Sequence, residues 1–135
     1  MMPGMASVFS MIIAGDLPGR FVHRDDRVVA FLSIAPLAPG HTLVVPREEV
    51  DDWTALDPGL WSHLMGVASR IGVAVKAAFE APRAGLVIAG FEVPHAHVHV
   101  FPARGMADFD FANARPDTPA AELDDAHQRL LKALG

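Results

Sequence analysis

The sequence predicts an α+β domain in which an antiparallel sheet of about five strands packs against one long helix. Short apolar segments lie close together along the chain, which favours antiparallel pairing between neighbours. A longer segment begins with Asp57 as a cap and Pro58 in the first helical position, and it reaches about Phe79 with apolar residues at spacings of three and four. The length of 135 residues predicts a single domain over 1–135.

Each element has its own signal in the chain. Ser7 can cap a short helix that runs through Ile13, and Gly15 ends it. A final amphipathic helix is predicted over Ala120–Leu134. The buried stripe of the long helix is formed by Leu60, Leu64, Val67, Ile71, Val75 and Ala78. Strands are expected at Arg20–His23, Val28–Leu32, Thr42–Val45, Leu86–Ile88 and His95–Phe101.

Composition and charge argue against several classes of protein. Hydrophobic residues make up 51% of the chain and charged residues 20%, which is typical of a folded globular domain. The net charge of −5 argues against a general nucleic-acid binder, and the absence of cysteine excludes disulfides and thiolate chemistry. No apolar run approaches the ~20 residues of a membrane span, and no positive charge precedes the apolar stretch over 6–15. We expect a cytoplasmic protein without nucleic-acid or membrane partners.

Three histidines alternate along the last predicted strand, at His95, His97 and His99. Because successive side chains of a strand point to opposite faces, all three imidazoles should project to one side, about 7 Å apart. The other side then carries Ala96, Val98 and Val100, which can pack against the long helix. Since imidazoles are poor core residues, we expect the histidine face to border a polar cleft.

Three interpretations of this cluster are open from the residues alone. Near neutral pH, histidine can act as a nucleophile, a general acid or base, or a phosphate contact. A strand-borne His-x-His pair is also a familiar ligand set for zinc or iron. An incidental surface cluster is the third interpretation, and three alternating histidines between prolines disfavour it.

The residues around the cluster resemble the histidine-triad (HIT) superfamily of nucleotide hydrolases and transferases. The His-apolar-His-apolar-His-apolar-apolar run over 95–101 is the first motif. The stretch Pro36–Pro46 resembles the upstream motif through its Pro-x-Ala-Pro-Gly-His-x-Leu-Val-x-Pro pattern, and residues 9–18 resemble the entry helix and turn. The similarity spans about residues 5–104 in the right order, and it leaves a C-terminal extension with a helix over about 119–134.

The resemblance implies a small HIT-like α+β fold, a homodimer with joined sheets, and chemistry on nucleotides. The substrate would be a nucleoside phosphoramidate, a dinucleoside polyphosphate or a related conjugate, attacked at its α-phosphate. The middle histidine, His97, would form a covalent nucleotidyl-histidine that water then hydrolyses to a nucleoside monophosphate. His99 would contact the phosphate, while His95 and His41 would complete the cluster. No metal or other cofactor is implied.

The resemblance also implies residues that bind a purine nucleotide. Ser33 stands where members often carry Asp or Asn to hold the ribose hydroxyls. Glu92 stands near the phosphate side, where its carboxylate could repel a phosphate, donate a proton if its pKa is raised, or point to solvent, and we expect the last of these. The Asn and Gln of the usual loop before the triad are missing. The candidate substrate-binding residues are Phe31, Leu32, Ser33, Ile34, Glu92 and Val93.

Many bacterial relatives carry a structural zinc site that this chain is expected to lack. The two Cys and one His that join the first triad histidine there correspond to Ser7, Ser10 and Glu49 here, which leaves only His95. Two hydroxyls, one carboxylate and one imidazole make a poor tetrahedral zinc site. We therefore expect the protein to hold no stoichiometric zinc.

Other histidines and both tryptophans receive ordinary structural interpretations. His23, His63 and His127 are expected on turns or helix surfaces, and Trp53 and Trp61 as core or dimer contacts. The sequence leaves three hypotheses for the function of the protein. They are a nucleotide hydrolase or transferase, a nucleotide-binding module with little turnover, and a metal-dependent protein that uses the three histidines as ligands.

Overall fold

The computed structural model describes residues 6–135, which form three α-helices and five strands. The helices are α1 (Val8–Ala14), α2 (Pro58–Ala78) and α3 (Ala120–Leu134). The strands are β1 (Phe21–Arg24), β2 (Val28–Leu32), β3 (Thr42–Pro46), β4 (Arg83–Val87) and β5 (Val98–Ala103). Short 3-10 turns cover Trp53–Ala55, Met106–Phe109 and Phe111–Asn113.

The strands form one antiparallel sheet in the order β1-β2-β3-β5-β4. The α+β class with a five-stranded antiparallel sheet and one long helix is therefore confirmed. The order places β5, which carries His99, beside β3, and Leu43 lies directly opposite His99 in the register. The motif over 36–46 and the histidine run thus meet in the middle of the sheet.

The capping residues act as the sequence predicts. The Ser7 hydroxyl accepts a hydrogen bond from the Ser10 N–H at 3.0 Å, and Gly15 ends α1 with a φ of 90°, which suits glycine. The Asp57 carboxylate accepts from the N–H groups of Gly59 and Leu60 at the start of α2. Each cap satisfies N–H groups that the helix itself leaves without partners.

The two faces of the sheet are buried by different helices. One face packs against α2, and its core includes Val44, Val98 and Val100 from the central strands. The opposite face packs against α1 through Phe9, which joins Phe31 and the other alternating residues of β2 and β3. The histidine face of β5 lies on this second side, so α1 covers the region in which the candidate site lies.

The predicted strand over His95–Phe101 begins too early and ends too early. Before Val98 the backbone bonds to loop segments, since the Ala96 N–H donates to the Val50 carbonyl at 2.7 Å. Pro102 continues the strand instead of closing it. Beyond Val100, β5 pairs with β4 alone, and a residue without an N–H is tolerated where one side of the strand has no partner. The three histidines still share one side of the chain.

The two edge strands also differ from their predicted bounds. The predicted Arg20–His23 is β1 over Phe21–Arg24, and the predicted Leu86–Ile88 is β4 over Arg83–Val87. β4 is partly exposed and contains Gly85, a residue atypical of strands, so only its apolar end resembled one. Gly85 is required because a Cβ there would collide with the Phe101 ring. Within residues 6–135, no helix is both long and apolar enough to cross a membrane.

Candidate active site

Four histidines meet on the α1 side of the sheet, and all four are buried. His41, His95, His97 and His99 have exposed fractions between 0% and 6%. The expected polar cleft is wrong in this respect, because Phe9 packs its ring 4.8 Å from that of His97. Burial is possible because each ring makes hydrogen bonds within the protein, as described below.

His95 uses both ring nitrogens within the protein. Its Nε2 lies 2.7 Å from the Pro46 carbonyl oxygen, which can only accept, so Nε2 carries the proton. Its Nδ1 therefore accepts from the Ser7 hydroxyl at 2.7 Å. With both nitrogens engaged, the His95 side chain has no lone pair left for a substrate or a metal ion.

The backbone of His95 fixes the tautomer of His97. The Nδ1 of His97 lies 2.8 Å from the His95 carbonyl oxygen and must donate to it. In the neutral ring, Nε2 then carries the lone pair. Among residues 6–135, no hydrogen-bond partner lies near His97 Nε2. In the same residues, every fully buried side-chain nitrogen has a hydrogen-bond partner, so Nε2, which has none, keeps some exposure to solvent. The nitrogen of His97 that carries the lone pair is thus open.

A chain of hydrogen bonds places a proton on the open nitrogen of His99, whereas the open nitrogen of His97 carries a lone pair. The Leu37 N–H donates to His41 Nδ1 at 2.9 Å, so the proton of His41 lies on Nε2. His41 Nε2 then donates to His99 Nδ1 at 2.9 Å, which leaves the proton of His99 on its own Nε2. His99 therefore offers an N–H donor beside the lone pair of His97, with ring centroids 4.9 Å apart.

All four imidazoles have pKa values below the ordinary value of 6.5. Burial lowers the pKa of His41 to about 3, with further lowering by His99 and His97, and it lowers the pKa of His99 to about 4. Burial also lowers the pKa values of His95 and His97. For His97, the hydrogen bond to the His95 carbonyl and the charge of Glu92 oppose this effect. The rings are neutral at pH 7, as the tautomers above require.

The two open nitrogens belong to rings that line a cavity of about 700 Å³. His97 and His99 lie at this cavity, whereas His41 and His95 do not line it and act on the other two through hydrogen bonds. Ile34 is 72% exposed at its rim, and Glu92 is exposed, as expected for a carboxylate that points to solvent. The cavity brings together all six candidate substrate-binding residues, Phe31, Leu32, Ser33, Ile34, Glu92 and Val93.

Sequence reasoning missed two charged residues of this cavity. Arg20 and Asp124 line it and form an ion pair, with Arg20 Nε 2.8 Å from Asp124 Oδ1. Asp124 belongs to α3, which is distant in sequence from every motif. No local pattern marks this contact, because it arises only when α3 packs beside β1.

The remaining histidines and the tryptophans lie away from the cavity. The Nε2 atoms of His23 and His63 both bond to Asp25 Oδ2, at 2.6 and 2.8 Å, and His127 Nε2 donates to a backbone carbonyl at 2.8 Å. The rings of Trp53 and Trp61 lie 5.0 Å apart beside the start of α2. None of these five side chains lines the cavity.

The four positions at which the resemblance implies a zinc site, Ser7, Ser10, Glu49 and His95, come together as a hydrogen-bonded cluster. Ser10 Oγ donates to Glu49 Oε1 at 2.7 Å, the Ser7 N–H donates to the same oxygen at 2.7 Å, and Ser7 Oγ binds His95 Nδ1. Neutral hydroxyls are weak zinc ligands, and the one imidazole nitrogen on this side already accepts a hydrogen bond from Ser7. The residues present do not fit a zinc ion, and hydrogen bonds hold α1 to the sheet in its place.

Restoring the ligands should restore a metal site, because the geometry is already close. Ser7 Oγ and Ser10 Oγ lie 3.3 Å apart, and Ser10 Oγ lies 3.5 Å from His95 Nδ1, while tetrahedral zinc ligands lie about 3.5 Å from each other. The triple variant Ser7→Cys, Ser10→Cys, Glu49→His should purify with one zinc per chain and melt at lower temperature after chelation. The unmodified protein, the matched control, should do neither. Stoichiometric zinc in the unmodified protein would contradict this account.

The fold and the site together define a histidine-triad protein, in which three alternating histidines lead into β5 and the middle one, His97, lines a cavity beside the capped helix α1. The family model of the HIT domain matches residues 14–106. The chain belongs to the HIT family, and the resemblance carried by the two sequence motifs is confirmed.

Individual relatives agree with this assignment. An uncharacterized HIT-like protein of Saccharolobus solfataricus is 36% identical over 100 residues, which cover 70% of this chain and 72% of that protein. A zinc-bound histidine triad family protein from Mycobacterium smegmatis aligns with a TM-score of 0.81 and 28% identity, over 96% of this chain and 94% of that one. A hypothetical histidine triad nucleotide-binding protein from Sulfolobus tokodaii aligns with a TM-score of 0.82 and 25% identity, over 93% and 90%. The HIT-like fold is therefore confirmed.

Proposed function

We propose that the protein is a nucleotide hydrolase or transferase that acts at the α-phosphate of a nucleoside phosphoramidate or a related nucleotide conjugate, through a covalent nucleotidyl-histidine at His97. One observation carries the proposal. Within one cavity, His97 presents a lone pair at Nε2 and His99 presents an N–H at Nε2, and both states are set by hydrogen bonds behind the rings.

These two nitrogens suit displacement at phosphorus. The lone pair of His97 Nε2 attacks the α-phosphorus, while the His99 N–H donates to a non-bridging oxygen and stabilises the charge that develops there. The phosphorus–nitrogen bond to the amine breaks, and the amine leaves with a proton taken from solvent. Water then attacks the nucleotidyl-histidine, releases the nucleoside monophosphate and His97, and returns one proton to solvent.

The backbone of His95 supports the intermediate as well as the free enzyme. In the free protein, His97 Nδ1 lies 2.8 Å from the His95 carbonyl oxygen and donates to it. When Nε2 is bonded to phosphorus, the ring carries a positive charge, and the same Nδ1–H can still donate to that carbonyl. A hydrogen bond with a charged donor is roughly twice as strong as a neutral one. His95 is thus a positioning residue for His97, and His41 is one for His99.

The rest of the cavity suits a nucleoside. Its lining is mainly apolar, with Phe31 and Leu43 from the sheet, Phe9 from α1 and Ile34 at the rim. Such surfaces take up the faces of a base. Ser33 is the neutral polar side chain of the β2 end, where the ribose would lie. A purine nucleotide or nucleotide conjugate is the proposed ligand, and no cofactor is needed for the steps above.

The metal-dependent alternative is disfavoured by the hydrogen bonds of the triad. A three-histidine metal site needs one lone pair from each ring, directed to one point. His95 accepts from Ser7 and donates to Pro46, so only two of the three rings keep an open nitrogen. Of these, His99 carries a proton at its open nitrogen in the network described.

We also propose the homodimer that the resemblance implies. β4 is an edge strand of the sheet, and its Leu86 side chain is 43% exposed. Val73 on the neighbouring helix α2 is 70% exposed. An unpaired strand edge beside exposed apolar side chains is a surface that pairing with a second copy would cover.

Incubation with adenosine 5′-phosphoramidate tests the proposed function directly. We expect the purified protein, treated with chelator, to release adenosine monophosphate and ammonia with multiple turnovers. Binding without release, measured by calorimetry, would favour the alternative of a nucleotide-binding module. Activity that appears only after metal is added would favour the metal-dependent alternative.

A further inference from the structure

The end of β2 lacks the acidic group that HIT proteins often place beside the ribose. Ser33 stands there, and its hydroxyl oxygen already accepts a hydrogen bond from the Ala35 N–H at 3.2 Å. One partly occupied hydroxyl is a weak acceptor for two ribose hydroxyls. The cavity therefore needs another acceptor if its ligand is a ribonucleotide.

Among residues 6–135, two carboxylates line the cavity, those of Glu92 and Asp124. Glu92 acts on the triad, since its charge raises the pKa of His97 against the effect of burial. Asp124 has a different neighbour, because its Oδ1 accepts from Arg20 Nε. The Arg20 carbonyl in turn accepts from the Leu32 N–H at 3.1 Å, and Leu32 directly precedes Ser33. The Arg20–Asp124 pair is therefore anchored beside Ser33.

The packing of α3 against the rest of the protein also holds Asp124 in place. Its neighbours on α3, Leu123, Ala126 and Leu130, are buried with exposed fractions of 8%, 4% and 0%. Asp124 itself keeps a side chain that is 64% exposed, and its Oδ2 has no hydrogen-bond partner among the described residues. A fixed helix thus presents one free carboxylate oxygen at the cavity, on the side where Ser33 lies.

From this arrangement we propose that Asp124 is the ribose-binding carboxylate of this protein, supplied by α3 in place of an acidic residue at position 33. This inference rests on the proposed function, because it requires a ribonucleotide in the cavity. Asp124 Oδ2 accepts from the ribose hydroxyls, and the Arg20 guanidinium keeps the carboxylate oriented. The C-terminal extension is then part of the binding site and determines the preference for ligands that carry the ribose hydroxyls.

The test compares the dissociation constants of adenosine monophosphate and its 2′,3′-dideoxy analogue. Their ratio isolates the hydroxyl contacts, because a general change in cavity charge affects both ligands alike. We expect a ratio of roughly ten for the unmodified protein and of one to about two for Asp124→Asn, since a charged hydrogen bond exceeds a neutral one by about a factor of ten in binding. Asp125→Asn is the matched control. Asp125 is the next residue of α3, lies outside this cavity and pairs with Arg129, so the ratio should stay near ten.

A relocated carboxylate provides a second arm. The double variant Ser33→Asp, Asp124→Asn should regain a ratio of roughly ten, which separates loss of the contact from displacement of α3. A ratio that is unchanged in Asp124→Asn, or near one in the unmodified protein, would overturn the role of Asp124 while leaving the proposed function intact. Failure of the unmodified protein to bind either nucleotide would overturn both.

Discussion

Replacement of His97 by glutamine should abolish hydrolysis of adenosine 5′-phosphoramidate, with a loss of roughly 10³-fold or more in turnover. The loss is large because the only open lone pair of the triad disappears, and with it the covalent route. Glutamine is preferable to alanine here. The His97 ring is 3% exposed and packs against Phe9, so alanine would leave a cavity in the core and lower the free energy of unfolding as well.

The matched control for this variant is His127→Gln. His127 also uses its Nε2 in a hydrogen bond to a backbone carbonyl, that of Phe21, but it lies outside the cavity. Its replacement should leave turnover within about twofold of the unmodified protein. The His97→Gln variant should still bind adenosine monophosphate, which shows that the cavity has formed. Turnover above a tenth of the unmodified rate in His97→Gln would refute the assignment of His97 as nucleophile.

The second large effect is a loss of stability in mild acid. His41 and His99 have pKa values of about 3 and about 4 in the folded protein, against 6.5 for an exposed histidine. The unfolded chain therefore binds protons first as the pH falls below 6.5, and stability is lost progressively until the folded-state pKa values are reached. At pH 5 the loss is about 2 kcal/mol for each of the two residues, at about 1.4 kcal/mol per unit.

Urea unfolding at pH 7.5, 6 and 5 measures this effect. A domain of this kind has a free energy of unfolding of roughly 5–15 kcal/mol, so a combined loss of about 4 kcal/mol is a large share of it. His41→Gln keeps an acceptor and a donor in the hydrogen-bond chain but removes one titrating group, and its loss of stability between pH 7.5 and pH 5 should be smaller by about 2 kcal/mol. Equal free energies of unfolding at the two pH values would contradict the buried, neutral histidine cluster.

Asp25 affects stability only at lower pH, so it does not interfere with the unfolding measurements at pH 7.5, 6 and 5. Burial alone would raise the pKa of its carboxyl, but hydrogen bonds from His23, Arg27, Val28 and His63 outweigh burial and hold the pKa below the ordinary 3.8. The stability that this carboxylate contributes is present above pH 4 and is lost only as the pH falls below it. The histidine effect therefore dominates between pH 6.5 and pH 4.

Local signals in the sequence predict most of the fold. Ser7 and Asp57 begin their helices as predicted, and the α2 stripe faces the sheet, because caps and periodicity depend on neighbouring residues. The bounds of β5 could not be predicted in the same way. Whether His95 or Val98 begins the strand depends on the partner that each backbone group finds, and that partner lies some fifty residues away in sequence.

The candidate site shows the same division between local and distant information. The alternation of His95, His97 and His99 places them on one side, as expected, and the resemblance brings in His41. Their burial was not predicted, since it depends on hydrogen bonds from Leu37, Ser7 and Pro46 that satisfy the rings. These bonds also decide which nitrogen of each ring carries a proton. The pairing of Arg20 with Asp124 joins residues 104 positions apart, and no pattern in the sequence marks it.

Detection of the nucleotidyl-histidine itself tests whether His97 is the nucleophile. The protein is mixed with excess adenosine 5′-phosphoramidate and stopped within milliseconds to seconds in alkaline denaturant, because a phosphorus–nitrogen bond to histidine hydrolyses in acid. Tryptic digestion then yields the fragment over 84–104, which contains all three triad histidines. We predict that fragmentation mass spectrometry finds one adenylyl group on His97, and none in the His97→Gln variant. Turnover with no adduct at any time, or an adduct on His95 or His99 in its place, would contradict the covalent role of His97.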